Sequence, residues 1–598
     1  MFGIVIGFER HASYAAVESA VKRSEVDIES TLSARLAAAF AVVAGEAVDQ
    51  AVRRSQHADY QSDAALALGR RLSRKPRDVA QQVIAHAQVD DLCSATEVAG
   101  PGFINLTVRT DVLGRMLASV AADDRLGVAE APVRDTVVVD YSAPNVAKEM
   151  HVGHLRSTII GDAAVRLLEW LGHEATRANH IGDWGTPFGM LIEHLLDLGE
   201  AEAAHELSVG DLDTFYKAAR RKFDDDPDFA ERARQRVVLL QSGDAQTRAA
   251  WQLLVTESER YFLSVYDPLG VRLQADDFMG ESAYNDQLAS VVAELDQLGL
   301  LRESGGAQCV FPAGFKDRDG EPLPIIVQKK GGGYGYGATD LAAIRYRTRQ
   351  LGATRLLYVV GLPQRLHLQM VFEVAREAGW LTTEHRAEHV GFGSVLGPDG
   401  KMLRSRAGST VKLSELIDEA ITRAAAVVAE KNPELDETTR RDVAHIVGVG
   451  AIKYADLSTD RTRDYVFDFD RMLAFDGNTA PYLQYAHARI RSILRKAGGE
   501  WQWRNDTVDL AHPAERNLAL ELLGFGSVIR DVERTLEFHR LAALLYSLAT
   551  RFMRFYESCP VLAAEGDTRA TRLVLCDLTA RTLARGLSLL GIQAPERM

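Results

Sequence analysis

The chain has 598 residues, 46% of them hydrophobic and 25% charged, with a formal net charge of −14, which fits a globular protein too long for one ordinary core. No apolar run approaches the roughly 20 residues that span a bilayer, and the apolar start Met1–Phe8 meets Glu9 and Arg10 with no basic segment before it, so membrane and secreted classes are set aside. Four scattered cysteines, Cys93, Cys309, Cys559 and Cys576, offer no metal-ligand spacing, and predict buried thiols in a cytoplasmic protein with no structural metal.

Residues 1–26 carry no readable pattern and are left unassigned. From 27 to 130, helical patterns over Leu32–Val42 and Val79–Ala87 alternate with a strand-like stretch, Ala99–Leu106, which predicts a small N-terminal α/β domain. Asp59, Tyr60 and Gln61 fall in an expected loop. An aromatic at the Gly100-Pro101-Gly102 turn, Phe103, is either a turn anchor or a stacking platform for an unpaired base.

Between 131 and 456, strands and helices alternate as in a doubly wound parallel sheet, a Rossmann-like α/β arrangement. Val137–Asp140 reads as the first strand, broken at Pro144 and Asn145. His151, Val152, Gly153 and His154 then open a helix whose apolar positions run from Ile159 to Leu171 and stop at Gly172. At such a turn the free backbone N–H groups and the helix dipole favour anionic oxygens, and Gly153 admits a ring or phosphate close to the backbone. Metal pairs and core histidines share the short His-x-Gly-His pattern. Its position after a buried strand, with Lys148 three residues upstream and the block Asn179–Thr186 one strand later, favours a nucleotide.

The stretch from about 190 to 328 reads as a mostly helical insertion, too small for an editing domain, and it contains Asp277-Phe278-Met279-Gly280-Glu281-Ser282. A glycine-rich turn, Lys329–Gly337, lacks the spacing of the common phosphate loops. Tyr336 and Asp340 stand four apart at a helix start, so both can face one cavity. Arg355–Gly361 is apolar on both faces and reads as a central strand, followed by Gly361-Leu362-Pro363-Gln364-Arg365-Leu366-His367. Gly397–Gly408 is a basic loop around Lys401, Met402, Arg404 and Ser405. Residues 457–598 predict a helical bundle, in which Tyr482, Tyr485 and Arg489 interleave aromatic and cationic groups. From Tyr485 onward the chain carries 16 Lys+Arg against 13 Asp+Glu, fifteen of the cations being arginine, a local reversal of its overall charge.

The run Ser142–Asp162, with Gly182-Asp183-Trp184-Gly185 after it, resembles the signature of class I arginyl-tRNA synthetases of the bacterial type. Lys401-Met402-Leu403-Arg404-Ser405 resembles their second signature, Lys-Met-Ser-Lys-Ser, with Leu403 and Arg404 as departures. The resemblance covers about residues 27–598. It implies activation of L-arginine with ATP and Mg2+ and esterification of tRNA(Arg) by a monomer, with pyrophosphate exchange that depends on bound tRNA.

In that family Lys148, His151, His154, Lys401 and Arg404 would carry the chemistry. Gly153, Gly182, Asp183, Met402 and Ser405 would help hold ATP. Asn145, His154, Glu281, Tyr336, Asp340 and Gln364 would hold arginine. Asp59, Tyr60, Gln61, Phe103 and Asn105 would meet the outer corner of tRNA, and Tyr482, Tyr485 and Arg489 its anticodon. The alternative is a synthetase-like paralogue that binds tRNA or passes arginine to a biosynthetic pathway.

Overall fold

The computed structural model describes residues 27–48, 52–185, 187–199, 212–404, 411–498 and 508–598; residues 1–26 lie outside the described residues. The chain divides into two compact units. One comprises residues up to Glu130, Ala474–Ser588 and Gln593–Met598, the other Ala131–Leu473 and Leu589–Ile592.

In the first unit, α1 (Ile28–Ala44) starts at Asp27, whose carboxylate accepts the Ser30 N–H, and ends at Gly45 in the left-handed region. Strands β1 (Val52–Arg54), β2 (Tyr60–Ser62), β3 (Cys93–Ala99) and β4 (Phe103–Val108) form an antiparallel sheet ordered β1-β2-β4-β3. It packs with α2 (Ala64–Arg71) and α3 (Pro76–His86), and α4 (Thr110–Ala121) follows. The loop expected at Tyr60–Gln61 is therefore a strand. Alternation along β4 turns Ile104, Leu106 and Val108 inward, and Tyr60, paired opposite Leu106, goes inward with them.

The second unit holds a four-stranded parallel sheet ordered β11-β10-β5-β6, made by β5 (Thr136–Asp140), β6 (Glu174–Ala178), β10 (Arg355–Tyr358) and β11 (Arg386–His389). Val137, Val138, Val139, Leu356 and Leu357 are fully buried, as central parallel strands covered on both faces require. Helix α5 (Val152–Trp170) connects β5 to β6. The insertion contributes α6 (Pro187–Leu198), α7 (Leu212–Asp225), α8 (Pro227–Ser242), α9 (Ala245–Leu269) and α10 (Asn285–Gln297).

It then departs from the helical expectation with an antiparallel sheet of β7 (Leu301–Ser304), β8 (Ala307–Val310) and β9 (Ile325–Gln328). The Gly305-Gly306 turn between β7 and β8 has both φ angles positive, the two-residue hairpin geometry that only such residues adopt cheaply. Helices α11 (Tyr336–Arg349) and α12 (Arg365–Glu377) pack into the core beside these strands through Leu341, Ile344, Val371 and Phe372. The short strand β12 (Val395–Leu396), α13 (Leu413–Lys431), α14 (Glu437–Leu457) and β13 (Tyr465–Val466) complete this unit, with β12 paired to β13.

The C-terminal region is the expected bundle: α15 (Ala480–Lys496), α16 (Pro513–Leu523), α17 (Phe525–Thr535), α18 (His539–Ser558) and α19 (Gly566–Leu589). It belongs to the same unit as the N-terminal sheet. Arg516 on α16 forms a two-pronged pair with Asp59 at 2.9 and 2.6 Å and donates to the Val108 carbonyl at 2.7 Å. All four cysteines are buried and free. Among the described residues no helix is long and apolar enough to cross a membrane.

Candidate active site

The connection from β5 to α5 is held in a shape that ordinary residues resist. Ser142, Ala143 and Ala147 all have positive φ, at 72°, 47° and 57°. The neighbourhood over-determines it: Ser142 N–H donates to Ser157 Oγ, Ala143 N–H to Asn179 Oδ1 and Ala147 N–H to Ser258 Oγ, each at 2.9 Å. Tyr266 of α9 ties Ser142 Oγ (2.7 Å) to Asn179 Nδ2 (3.0 Å). Asn145 is exposed beside Gly182, whose N–H donates to the Pro144 carbonyl at 3.1 Å.

At the start of α5 the two histidines cap the helix. His151 Nδ1 accepts the Gly153 N–H at 3.0 Å, and His154 Nδ1 accepts the His151 N–H at 3.1 Å. Their rings lie 4.2 Å apart. Burial, then the Lys148 charge, lowers the His151 pKa, while burial and then His151 lower that of His154 to about 4. Both rings are therefore neutral at pH 7, and with Nδ1 occupied as an acceptor each presents an Nε2–H donor. Gly153 has a nearer reason than ligand access: a Cβ there would lie 2.7 Å from the His151 ring.

Residues 277–281 run beside residues 179–181, with Asn179 N–H donating to Asp277 O, Met279 N–H to Asn179 O and Glu281 N–H to Ile181 O. This pairing brings Glu281 to the sheet's carboxyl edge. Asp183, expected among the ATP contacts, instead turns inward: it is 3% exposed and accepts from Ser282 N–H at 2.8 Å and Ser282 Oγ at 2.5 Å. Gly280 is required there, because its Cβ would stand 2.3 Å from Asp183 Oδ2. Burial foremost, then the charges of Asp183 and Asp340, pushes the Glu281 pKa up to about 7.

Tyr336 opens α11 and is 71% exposed, with Asp340 one turn later. His367 of α12 meets both: its Nε2 lies 2.6 Å from Asp340 Oδ2, and its ring is edge-on to Tyr336. Gln364 is exposed just before α12. The result is a cluster of carboxylates, Glu281, Asp183 and Asp340, with Glu281 within electrostatic reach of the other two.

Lys148 sits close enough to His151 to shift it, and its ammonium lies 4.5 Å over the ring of Tyr216 on α7. Lys401 tops a tight turn in which Gly397 N–H donates to the Lys401 carbonyl at 2.7 Å and Lys401 N–H to Asp399 Oδ1 at 3.1 Å. Lys401, Met402 and Arg404 are exposed beside a cleft of about 650 Å3. Ser405 lies outside the described residues. The chain returns at Val411–Leu413 to bond Val152 N–H and the Met150 carbonyl, so this loop is anchored next to the histidine turn.

In the other unit, Asp59 is engaged by Arg516 and the Val108 N–H, and Tyr60 is fully buried, so neither presents a free surface to tRNA. Gln61 and Asn105 are hydrogen-bonded across the sheet at 2.7 Å and share the partly exposed face with Phe103. Tyr485 and Arg489 form one exposed face of α15, with Arg489 4.9 Å from the Tyr556 ring, while Tyr482 leans on Tyr546.

Sequence reasoning did not single out Tyr216, Tyr266, Ser282 or His367 for the site. Tyr216 and Tyr266 come from helices of the insertion where no motif stood out, and Ser282 ended the quoted stretch Asp277–Ser282 without a role of its own. His367 stood inside a quoted motif without a role.

Residues 116–469 match the family described as tRNA synthetases class I (R), catalytic domain; residues 483–598 match the DALR anticodon binding domain, and residues 26–108 the arginyl tRNA synthetase N terminal domain. Over 578 residues the chain is 53% identical to a Thermobifida fusca protein named arginine--tRNA ligase, covering 96% of this chain and 100% of that one. Two solved arginyl-tRNA synthetases share the fold. That of Plasmodium falciparum aligns with a TM-score of 0.84 at 28% identity, covering 96% of this chain and 99% of its own. That of Thermus thermophilus gives 0.80 at 26%, covering 96% and 100%. With both signature segments in place and similarity running through all three regions, this chain belongs to the class I arginyl-tRNA synthetase family.

Proposed function

We propose that the chain is an arginine–tRNA ligase, which activates L-arginine with ATP and transfers it to the 3′-terminal adenosine of tRNA(Arg). The observation that carries the substrate is the acidic cluster: Asp183 and Asp340 lie close enough to Glu281 to repel it, and burial foremost, then that repulsion, lifts Glu281 to about 7. Such a cluster is short of cations. L-arginine brings two, and in this reading Asp340 with Tyr336 and Gln364 takes the planar guanidinium, while Glu281, with Asn145 and His154 nearby, takes the amino-group side.

The arginine carboxylate itself attacks the α-phosphorus and pyrophosphate leaves, so no protein nucleophile is needed. The protein's contribution is position and charge. The Nε2–H groups of His151 and His154 donate to phosphate and ribose oxygens, with Gly153 and Gly182 at the backbone and Met402 and Ser405 along the loop. Lys148 and Lys401 neutralise the developing charge, aided by Arg404. A Mg2+ carried in on the nucleotide's own phosphates would neutralise charge there. In the second step a ribose hydroxyl of the terminal adenosine attacks the adenylate carbonyl and AMP leaves. Phe103, Asn105 and Gln61 on one exposed sheet face, and Tyr485, Arg489 and Tyr482 on α15, are the proposed tRNA contacts; Asp59 and Tyr60 are not.

ATP–pyrophosphate exchange across the amino acids, with and without tRNA, tests this reading. Exchange with arginine that requires tRNA is expected. Equal exchange with lysine, or none with any amino acid when tRNA is present, would overturn it.

A further inference from the structure

The acidic cluster contains a side chain with no role in the scheme above. His367 projects from α12 and touches two of the three residues assigned to the guanidinium, Tyr336 and Asp340, which stand on α11. Its Nε2 is 2.6 Å from Asp340 Oδ2, and both side chains are only 22% exposed. A carboxylate offers acceptors alone, so this nitrogen carries the hydrogen and donates it. On the other side, its ring centroid is 4.9 Å from that of Tyr336 at an interplanar angle of 61°, an edge-on contact to a side chain otherwise open to solvent.

A planar guanidinium is discriminated only if the carboxylate plane is already turned to meet it, because two parallel N–H···O bonds must form at once. A carboxylate rotates almost freely about its last torsion unless something grips it. One donor on Oδ2 is a sufficient grip. It occupies one of roughly four acceptor positions, leaving Oδ1 and part of Oδ2 for the substrate.

We propose that His367 is a positioning residue for arginine recognition: it locks the Asp340 carboxylate and the Tyr336 ring in the orientation that receives the guanidinium, so that the ordering cost is met before the substrate arrives. The inference rests on the reading of Asp340 as the guanidinium partner.

The full-length protein tests it through arginine KM, kcat and calorimetric arginine Kd, with ATP Kd and thermal midpoint measured alongside. His367→Ala should raise arginine KM and Kd together by roughly ten- to a hundredfold, the range of a hydrogen bond to a charged group, with kcat, ATP Kd and thermal midpoint nearly unchanged. His367→Gln, whose amide nitrogen reaches the place of Nε2, should recover most of the loss, whereas His367→Asn, which is too short, should not. In an Asp340→Ala background, His367→Ala should add nothing further. Equal losses in the Gln and Ala variants, a kcat effect without a KM effect, or full additivity with Asp340→Ala would each overturn the proposal. If Asp340→Ala itself left arginine binding intact, the reading of the pocket would fall. A strong Asp340 effect beside a silent His367→Ala would overturn this inference alone.

Discussion

Arg156 sits in α5 just past His154, with its side chain 1% exposed and its partner Asp456, on α14, equally buried. Nε donates to Asp456 Oδ2 at 3.1 Å, and Nη1 donates to the Arg463 carbonyl at 2.8 Å. Arg463 leads into β13, whose partner β12 runs straight into the Lys401 turn. Burial holds the Asp456 carboxyl above the usual range even though Arg156 pulls it down.

Arg156→Met keeps the apolar volume and strips the pair of its cation. Leaving a buried carboxylate alone costs about 3–5 kcal/mol. The loss is capped because Asp456 takes up a proton rather than remain charged. Its folded pKa then rises further above the unfolded value of about 4, so the folded state binds more protons than the unfolded one across that window. Stability must fall as pH rises through it, by up to about 1.4 kcal/mol per pH unit. Denaturant titrations of both proteins at pH 6, 7 and 8 measure the difference, which should widen toward pH 8. A loss below about 1 kcal/mol, or one that is flat with pH, would refute the reasoning. Arg156→Met with Asp456→Leu, which removes both charges, should recover most of the stability.

Arginine affinity of the free enzyme should improve as pH rises through about 7, because Glu281 must lose its proton before it can hold the ammonium group; Glu281→Gln should flatten the calorimetric profile. Lys148→Ala should slow single-turnover adenylate formation by roughly 10²–10³ with ATP KM little changed, and Arg404→Ala should be milder. The reverse ranking would show the two roles exchanged. Asp59→Ala leaves the Arg516 guanidinium without its carboxylate partner, so its main effect should be a lower thermal midpoint of the first unit, whereas Phe103→Ala should weaken tRNA binding in filter assays at an unchanged midpoint; the opposite pattern would restore Asp59 as a tRNA contact.

What could be read from the sequence alone was whatever repeats or turns locally. The apolar strand Val137–Val139, the histidine turn and the helix to Trp170 follow from residue period and turn chemistry within some thirty positions, and the structure has them there. The Tyr336–Asp340 pair likewise lies at a helix start, as its spacing requires. The loop expected at Tyr60–Gln61 is a strand instead. Parity along β2 sends Tyr60 into the core, and the partner that occupies Asp59 is 457 residues away in sequence, invisible to any local pattern.

The hairpin at Gly305-Gly306 was signalled by its turn residues but lay inside a segment dominated by helical spacing. Tertiary packing alone decided the inward turn of Asp183 onto Ser282, the lowered pKa of both histidines, the rise of Glu281 and the meeting of His367 with Asp340. Each depends on burial and on a partner from another element, and desolvation and charge–charge energies are set by distances in space, which spacing along the chain does not encode.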